Sequence, residues 1–430
     1  MQYWLETLGC PKNQVDSDKL AGMLEGQGHG RASEVEAADL VVVNTCAFVE
    51  AARTESIEAI LELADRRSDG ARLVVTGCMA ERYGSELAEA LPEVDAVAGF
   101  GQPITLGRKP RPGVADPHRA PGSVAGFDLL ELPRPPAGAP WAYLKVAEGC
   151  DRACGFCAIP SFRGRQRSRL EADLLAEVDA LGATEIVLVA QDLASYGSDL
   201  GRRGAIIDLI GAVSERVERT RLLYLYPSAL SPSLIQAMGD TGCAYFDLSL
   251  QHVSGPLLRR MRRWGDGPRF AERIDRIRQS WPDAAFRSSF IVGYPGETEE
   301  DHDQLLRFLD EADLDWAGFF SFSPEAGTYA ADLDGHVPEA VMEERLAECS
   351  EVQDRITARR RAGLVGTTVN VLVDAPGVSR SHREAPEIDG IIAVPPDVAV
   401  ASLLDVVVTG AEGPDLQAVP VGAAVAGRPG

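Results

Sequence analysis

Residues 148–157 read EGCDRACGFC and place three cysteines, Cys150, Cys154 and Cys157, in a C-x3-C-x2-C pattern. Thiolates at this spacing can bind three irons of one four-iron cluster, which leaves the fourth iron open to a substrate or cofactor. Structural zinc is the competing interpretation, but it normally takes four protein ligands. The next cysteine along the chain is Cys243 and the next histidine is His252, and three thiols cannot all pair as disulfides. The pattern therefore favours an iron–sulfur cluster.

The composition is typical of a soluble globular protein. Of the 430 residues, 45% are hydrophobic and 25% are charged, which is ordinary for a folded soluble chain. A length of about 150 residues per domain suggests roughly three domains. The eight cysteines come without a secretion signal or an apolar run long enough to cross a bilayer. We expect a cytoplasmic protein with no membrane partner, whose cysteines bind metal or take part in catalysis.

The formal net charge is −23. Nucleic-acid binding depends on Lys and Arg side chains that displace counterions from phosphates, so this charge argues against a large phosphate-binding surface. It favours a basic partner. Charge alone does not separate this interpretation from one in which the acidic residues only keep the protein soluble.

The N-terminal part of the chain repeats one pattern three times. Short aliphatic runs, typical of strands buried in a parallel sheet, lie at 3–8, 39–43 and 72–75. Helices are predicted after them, at 18–27, 50–66 and 81–91. Asp16 or Ser17 is the expected cap of the first helix. The pattern predicts an open α/β sheet domain over residues 1–105.

Each aliphatic run of this domain is followed by a cysteine: Cys10, Cys46 and Cys78. The carboxyl ends of parallel strands form the edge where open α/β sheets bind ligands. Single cysteines are often simply buried in a core, and that alternative stays open. Three cysteines at the same edge nevertheless favour a second metal cluster with three protein ligands.

A stretch rich in proline and glycine, 106–140, predicts a linker. Residues 141–361 then alternate strands with helices, and the helices are predicted at 171–181, 205–217, 268–280 and 299–312. The strands are predicted at 142–146, 185–190, 221–226, 245–250, 286–292 and 316–322. Six units rather than eight indicate a partial (β/α)6 barrel. The C-x3-C-x2-C triplet directly follows the first strand, at the end of the barrel where such folds carry their chemistry.

The triplet in this position resembles the signature of the radical S-adenosylmethionine (SAM) superfamily. The resemblance implies that Cys150, Cys154 and Cys157 bind a [4Fe-4S] cluster whose open iron chelates SAM. Phe156 matches the family position that packs on the adenine. Ile291 and Gly293 lie in a segment, FIVG at 290–293, similar to the one that runs along the adenine. Gln191 and Asp192 stand where the family places groups near the methionine moiety.

The three dispersed cysteines narrow the resemblance to the methylthiotransferases, in which Cys10, Cys46 and Cys78 are implied to bind a second [4Fe-4S] cluster. The chain is most similar to the methylthiotransferases that modify an aspartate of a ribosomal protein. The matching stretches include LGCPKN at 8–13, VNTC at 43–46, VTGC at 75–78, CAIP at 157–160, LQH at 250–252, PGET at 295–298 and APEIDG at 385–390.

The resemblance also implies a reaction. The β-carbon of aspartate carries an unactivated C–H bond, and cofactors rather than side chains perform such chemistry. In the family, the SAM-binding cluster generates a 5′-deoxyadenosyl radical that removes this hydrogen, and a methylated sulfur from the second cluster is transferred to the carbon. The implied partners are small-subunit ribosomal protein twelve or the ribosomal small subunit, an electron donor and a sulfur donor.

Residues 362–430 are predicted to form a small β-barrel, which the resemblance makes a TRAM domain. Counted from residue 361, this segment holds four arginines and eight acidic residues. That balance suits docking of a protein better than binding of phosphates, although a barrel that only adds solubility is also possible. The alternative function is 2-methylthiolation of transfer-RNA adenosine (N6-isopentenyl or threonylcarbamoyl). A non-enzymatic iron–sulfur carrier does not explain the segments that resemble SAM contacts.

Four other features have plainer interpretations. Cys243 and Cys349 have no partners at cluster spacing, so we expect core or helix-surface thiols rather than ligands. His252, at a strand end, either touches substrate or is a hydrogen-bonded structural residue. The basic run at 163–169 has either ordinary ion pairs or contacts to carboxylates of a cofactor or substrate.

Overall fold

The computed structural model describes residues 1–104 and 127–424. Residues 106–126 of the predicted linker lie outside the described residues. The described chain forms two compact units. The first comprises Met1–Pro136, Glu148–Asp151 and Ala158–Arg167, and the second comprises Ala137–Ala147, Arg152–Cys157 and Ser168–Gly430 within those limits.

A five-stranded parallel sheet forms the centre of the first unit, with strand order β2-β1-β3-β4-β5. The predicted open α/β sheet is confirmed. Its elements are β1 (Gln2–Thr7), α1 (Pro11–Gly26), β2 (Gly30–Arg31), β3 (Leu40–Thr45), α2 (Glu50–Arg66), β4 (Arg72–Gly77), α3 (Cys78–Ala90) and β5 (Ala96–Val97).

The central strand β3 shows why this sequence forms a parallel sheet. Every residue of the strand, LVVVNT, is buried, as expected for a strand that is covered on both faces. Val41 and Val43 pack into one apolar cluster, and Leu40 and Val42 pack into another. Alternation of side chains across the sheet therefore gives the strand two cores rather than one.

The expected cap of α1 was wrong. The helix begins at Pro11 after Cys10, because the fixed φ of proline suits a first helical residue. Asp16 and Ser17 lie inside the helix and are buried. The Ser17 hydroxyl accepts hydrogen bonds from Thr7 Oγ1 at 2.6 Å and from Asn44 Nδ2 at 2.9 Å. These side chains hold the helix against the sheet instead of capping it.

The second unit contains the predicted partial barrel. Its strands form two three-stranded sheets, β10-β9-β6 and β11-β12-β13, joined by a parallel bridge between Leu225 and Leu248. The elements from residue 141 to the start of the C-terminal region are β6 (Trp141–Lys145), β7 (Ala147–Glu148), α4 (Ile159–Arg163), β8 (Arg167–Ser168), α5 (Glu171–Leu181), β9 (Glu185–Val189), α6 (Ala205–Ser214), β10 (Arg219–Leu222), α7 (Pro232–Gly239), β11 (Tyr245–Gln251), α8 (Gly255–Arg260), α9 (Gly267–Ser280), β12 (Ala285–Val292), α10 (Glu299–Ala312) and β13 (Trp316–Ser321).

The long helix α11 (Glu339–Ala362) connects this barrel to the C-terminal region. Basic residues fill its last turn, where they complement the negative end of the helix dipole. Arg359 and Arg360 there pair with Asp313 at 2.7 Å each. In residues 1–104 and 127–424, none of the helices combines the length and the apolar character needed to cross a membrane.

The C-terminal region closes into a small barrel with strand order β14-β15-β16-β18-β17, so the predicted β-barrel is confirmed. Its elements are β14 (Thr368–Ala375), β15 (Val378–Arg380), β16 (Ile392–Ala393), β17 (Leu403–Glu412), β18 (Asp415–Pro420) and α12 (Val421–Ala424). Val371, Ile392, Val406 and Leu416 lie in its core.

Residues 380–389 of the small barrel lie against the first residues of the (β/α)6 barrel strands. Tyr143 donates to the Pro386 carbonyl at 3.0 Å, and Tyr245 donates to Asp389 at 2.6 Å. The Trp316 indole donates to the Arg383 carbonyl, also at 2.6 Å. These contacts cover the amino ends of β6, β11 and β13, so the small barrel forms a floor at the end opposite the triplet loop.

A buried ion network fixes this floor. Glu185 and Arg221 are fully buried and pair at 2.7 Å. Arg380 of β15 approaches the same carboxylate at 3.3 Å, and Arg221 donates to the His382 carbonyl at 2.9 Å. Ions buried this deeply contribute to the stability of the fold only when all of their partners are present, because an uncompensated buried charge costs several kcal/mol.

Replacement of Glu185 by alanine leaves the two buried arginines without their shared carboxylate. We expect the free energy of unfolding to fall by about 3–5 kcal/mol, measured by urea denaturation of the cluster-free protein. Glu272→Ala is the matched control, because Glu272 pairs with Arg276 on an exposed helix face and such pairs are worth about 1 kcal/mol or less. Equal losses in the two variants contradict the role of the buried network.

Acid should weaken the same network. Burial raises the pKa of Glu185, but Arg221 and Arg380 outweigh burial and lower the pKa from 4.5 to about 2. As the pH falls, Glu185 is therefore protonated in the unfolded chain at a higher pH than in the folded protein. The stabilisation that the ionised Glu185 provides is present above pH 4.5 and is lost as the pH approaches 2. The loss amounts to about 3 kcal/mol.

The measurement for this pH dependence compares urea unfolding of the wild type and Glu185→Gln at pH 6 and at pH 3. The glutamine variant lacks the titrating group, so its deficit in unfolding free energy relative to the wild type should shrink at pH 3. A deficit that is the same at both pH values argues against an ionised Glu185.

Candidate iron–sulfur and S-adenosylmethionine sites

Cys10, Cys46 and Cys78 lie at the same edge of the first unit's sheet. Cys46 directly follows β3, Cys78 directly follows β4, and Cys10 stands just past β1 as the residue before α1. Because β1, β3 and β4 are neighbouring parallel strands, their carboxyl ends bring the three cysteines together. The sequence prediction placed them at this edge for the same reason.

Cys46 and Cys78 both have close neighbours at this edge of the sheet. A Cβ built on Gly9 comes within 2.8 Å of Cys46 Cβ, and the Cys78 thiol lies 3.5 Å from Asn13 Oδ1. Burial is the main cause and the neighbouring Cys10 and Cys78 the next, and together they raise the pKa of Cys46 to about 12. Burial also raises the pKa of Cys10, but Lys12 and Arg163 outweigh burial and lower it.

Arg163 is the cation of this site, and the sequence analysis named it only as one of the four arginines of the basic run at 163–169. Its side chain is 1% exposed. One guanidinium nitrogen donates to Cys78 Sγ at 3.0 Å and to Asn13 Oδ1 at 2.7 Å. The other donates to both carboxylate oxygens of Glu148, at 2.9 and 3.0 Å. A buried arginine with an N–H directed at sulfur fits a site that holds thiolates.

This donor set fits an iron–sulfur cluster. In the part of the chain that the structure describes, no three Cys, His, Asp or Glu side chains converge as the ligands of one metal ion. A cluster has a different requirement, since each thiolate binds its own iron. Three thiols from separate strands, with a buried cation and an amide among them, meet that requirement.

The triplet is divided between the two units. Cys150 belongs to the first, is buried, and its backbone N–H donates to the Gly164 carbonyl at 3.1 Å. Gly149 precedes it with φ +76°, and a Cβ there lies 2.1 Å from the Arg165 carbonyl oxygen. Only glycine fits this close approach, which fixes the backbone of the first cysteine.

Cys154 and Cys157 belong to the second unit. The Gly155 N–H between them donates to the Met261 carbonyl at 2.8 Å, and the Gly155 carbonyl accepts from Ala330 N–H at 2.8 Å. Arg263 donates to Cys154 Sγ at 3.3 Å. The loop is therefore held by backbone bonds on two sides, with a cation beside its thiol.

A second arginine accompanies Arg263 in this unit. Both Arg152 and Arg263 stack on the Tyr226 ring, with the guanidinium carbons 4.1 and 3.9 Å from its centroid. Arg152 also pairs with Asp192 at 2.6 Å. The Asp192 carboxylate is thus ion-paired with a residue of the triplet loop. Sequence reasoning missed these two arginines, because nothing in their spacing distinguishes them from surface residues.

Of the residues predicted to contact SAM, Phe156 lies in the triplet loop and the others lie at or just past the carboxyl ends of barrel strands. Phe156 is half-buried and packs against the barrel core, Gln191 follows β9, and Ile291 lies near the end of β12. Gly293 follows β12 with φ +80°, and its N–H donates to Glu297. Their contacts to SAM stay a prediction.

Ion pairs are present for all four arginines of the basic run at 163–169. Each arginine has a carboxylate partner in the described residues: Arg163 with Glu148, Arg165 with Asp151, Arg167 with Asp128 and Arg169 with Glu177. They differ in burial, since the Arg165 side chain is 91% exposed whereas that of Arg163 is 1% exposed. Only Arg163 among them contacts a cysteine sulfur.

His252, Cys243 and Cys349 are enclosed by the chain. Burial lowers the pKa of His252 to about 3, so the ring is neutral, and its Nδ1 accepts from the Ser254 N–H at 3.1 Å. Cys243 and Cys349 are 2% and 0% exposed, as expected of core thiols. Burial raises their pKa values to about 11 and about 12.

Comparison with known proteins defines the class. Residues 2–99 match the uncharacterised protein family UPF0004, residues 144–309 match the radical SAM superfamily, and residues 365–421 match the TRAM domain. The chain is therefore a radical SAM protein with an N-terminal UPF0004 domain and a C-terminal TRAM domain.

The curated relatives narrow the class to one family. "Ribosomal protein uS12 methylthiotransferase RimO" of Streptomyces coelicolor is 41% identical, over 97% of this chain and 96% of that protein. The protein of the same name from Moorella thermoacetica is 44% identical over 92% and 93%, and that from Cutibacterium acnes is 39% identical over 98% of each. This chain belongs to the RimO family of uS12 methylthiotransferases.

The close approach of Gly9 to Cys46 yields a prediction for the first cysteine set. In Gly9→Ala the new methyl group must displace Cys46, so we expect the purified, reconstituted protein to lose about one cluster's share of iron. Gly70→Ala is the matched control, because Gly70 has a similar φ of +89° but nothing within 4 Å of its Cβ. Full iron content in Gly9→Ala is inconsistent with Cys46 as a ligand.

Proposed function

We propose that this protein attaches a methylthio group to the β-carbon of an aspartate in ribosomal protein uS12. The observation that carries the proposal is the gathering of Cys10, Cys46 and Cys78 around Arg163, in a chain that shares about 40% identity with uS12 methylthiotransferases over nearly its whole length. A radical SAM enzyme that only cleaved SAM has no use for this second set of cysteines.

The residues have distinct roles in the proposed reaction. Cys150, Cys154 and Cys157 hold the SAM-binding [4Fe-4S] cluster, and Cys10, Cys46 and Cys78 hold an auxiliary [4Fe-4S] cluster. When bound, these groups supply the radical chemistry and the sulfur that no side chain can provide. The protein supplies a fixed triplet loop, through the backbone bonds of Gly155 and Cys150, and cations beside the sulfurs, through Arg163 and Arg263.

The TRAM domain favours a protein substrate over transfer RNA. Its described arginines, Arg380 and Arg383, are 2% and 7% exposed, and Arg361, in the last turn of α11 just before the domain, is 3% exposed. Each forms an ion pair with a carboxylate: Arg361 with Glu384, Arg380 with Asp374 and Arg383 with Asp283. Arginines held in this way cannot contact phosphates, on which RNA binding depends. The net charge of −23 instead complements a basic protein such as one of the ribosome.

The remaining partners follow from the chemistry. Cleavage of SAM at a reduced cluster needs an electron donor, and repeated methylthiolation needs a sulfur donor. We expect both to act in the cytoplasm, where the small ribosomal subunit is found.

Substitution of the auxiliary cysteines tests the function. In cells that lack this protein, uS12 should have no methylthio group, and expression of the wild-type chain should restore it. The triple variant Cys10→Ala, Cys46→Ala and Cys78→Ala should not restore it and should contain about half of the wild-type iron, because the triplet cluster remains. Intact-mass analysis of uS12 and iron analysis of the purified variant are the measurements.

Cys243→Ala and Cys349→Ala are the controls, since both residues are buried thiols outside the two sets. They should retain the wild-type iron content and activity. Methylthiolated uS12 in cells that lack this protein would contradict the proposal. A loss of methylthio groups from transfer RNA in those cells, with uS12 unchanged, favours the alternative substrate.

A further inference from the structure

One buried cation links two cysteine-bearing segments of the first unit. Arg163 ends helix α4, shortly after the last cysteine of the triplet, and its guanidinium contacts Cys78 Sγ at 3.0 Å. The next residue, Gly164, accepts a hydrogen bond from the Cys150 N–H at 3.1 Å. Arg163 and Gly164 therefore hold a side chain of one cysteine set and the backbone of the other.

The surroundings of Arg163 fix its orientation. Asn13 Oδ1 accepts from it at 2.7 Å, Glu148 binds it through both oxygens, and Asp16 lies 3.4 Å away. The Phe100 ring lies 4.5 Å from the guanidinium carbon. A planar guanidinium with partners on this many sides keeps one orientation. Its N–H bond to the sulfur is therefore preformed.

A preformed charge of this kind acts on whatever the thiolates bind. Hydrogen bonds and positive charge at cluster sulfurs stabilise the reduced form, which carries one more negative charge, and so raise the reduction potential. Asp16 and Glu148 oppose this effect, because their negative charges offset part of that of Arg163. The potential then depends on the balance of the three groups.

We propose that Arg163 is a positioning residue of the auxiliary cluster, which holds the Cys78 thiolate and sets the cluster's reduction potential. The inference rests on the proposed auxiliary cluster and adds to it a residue that is not a ligand. Arg163 has this role and Arg165 does not, because only Arg163 is buried against sulfur.

The experiment measures the midpoint potential of the auxiliary cluster by titration followed with electron paramagnetic resonance. The full-length parent carries Cys150→Ala, Cys154→Ala and Cys157→Ala, so that only the auxiliary cluster gives a signal. Arg163→Met should shift the potential to more negative values, and Arg163→Lys, which keeps the charge without the planar fork, should fall between Arg163→Met and the parent. Arg165→Met is the matched control and should leave the potential unchanged.

The Asp16→Asn variant tests the direction in which the reduction potential shifts. It removes a negative charge that faces Arg163, so the potential should move to more positive values, opposite to the shift in Arg163→Met. General loosening of the site does not predict opposite shifts from two substitutions in the same contact. If Arg163→Met fails to retain iron, Arg163→Lys takes its place: a negative shift in Arg163→Lys with a positive shift in Asp16→Asn supports the proposal, and an unchanged potential in Arg163→Lys overturns it.

Iron analysis separates this inference from the proposed function. A parent protein without iron overturns the auxiliary cluster and, with it, the role of Arg163. Full iron content together with unchanged potentials in Arg163→Met and Asp16→Asn overturns the role of Arg163 alone and leaves the cluster in place.

Discussion

Buried negative charges need a positive charge nearby, and in the first unit the guanidinium of Arg163 supplies it. Arg163 contacts the Cys78 sulfur and both oxygens of Glu148, with Asp16 close by. Without it, the site would hold several thiols and two acidic groups in an apolar setting, which physical chemistry strongly disfavours. The parallel sheet brings the three cysteines to one edge, and Arg163 places a positive charge against the sulfur of one of them, Cys78.

The arrangement of strands was largely predictable from the sequence. Aliphatic runs gave the order of elements in both units, and helices such as Glu50–Arg66 and Glu299–Ala312 begin and end where their patterns indicated. The start of α1 was not predictable from capping preferences, because Ser17 uses its hydroxyl for contacts with Thr7 and Asn44. Such a use depends on residues distant in sequence, which local patterns do not contain.

The sequence was enough to predict the cysteines of the candidate site but not its arginines. Cysteine is uncommon, so its spacing and its place after strands carry information. Arginine is frequent, and the run at 163–169 presents four arginines at alternate positions that look alike in sequence. Burial separates Arg163 from Arg165, and burial arises from the fold as a whole. The same holds for Arg152 and Arg263, which meet at Tyr226 although they are far apart in the chain.

The floor formed by the small C-terminal barrel has a consequence for how this family can diversify. Arg380 reaches Glu185, Arg219 donates to the Arg380 and Asn370 carbonyls, and Arg383 donates to Asp283. The TRAM domain is therefore not an interchangeable module, even though it is compact and closes on itself. A chimaera that receives this domain from another family member must also receive matching charges at the amino ends of β9 and β10. Recombination between lineages is thus constrained to replace the domain and the barrel floor together.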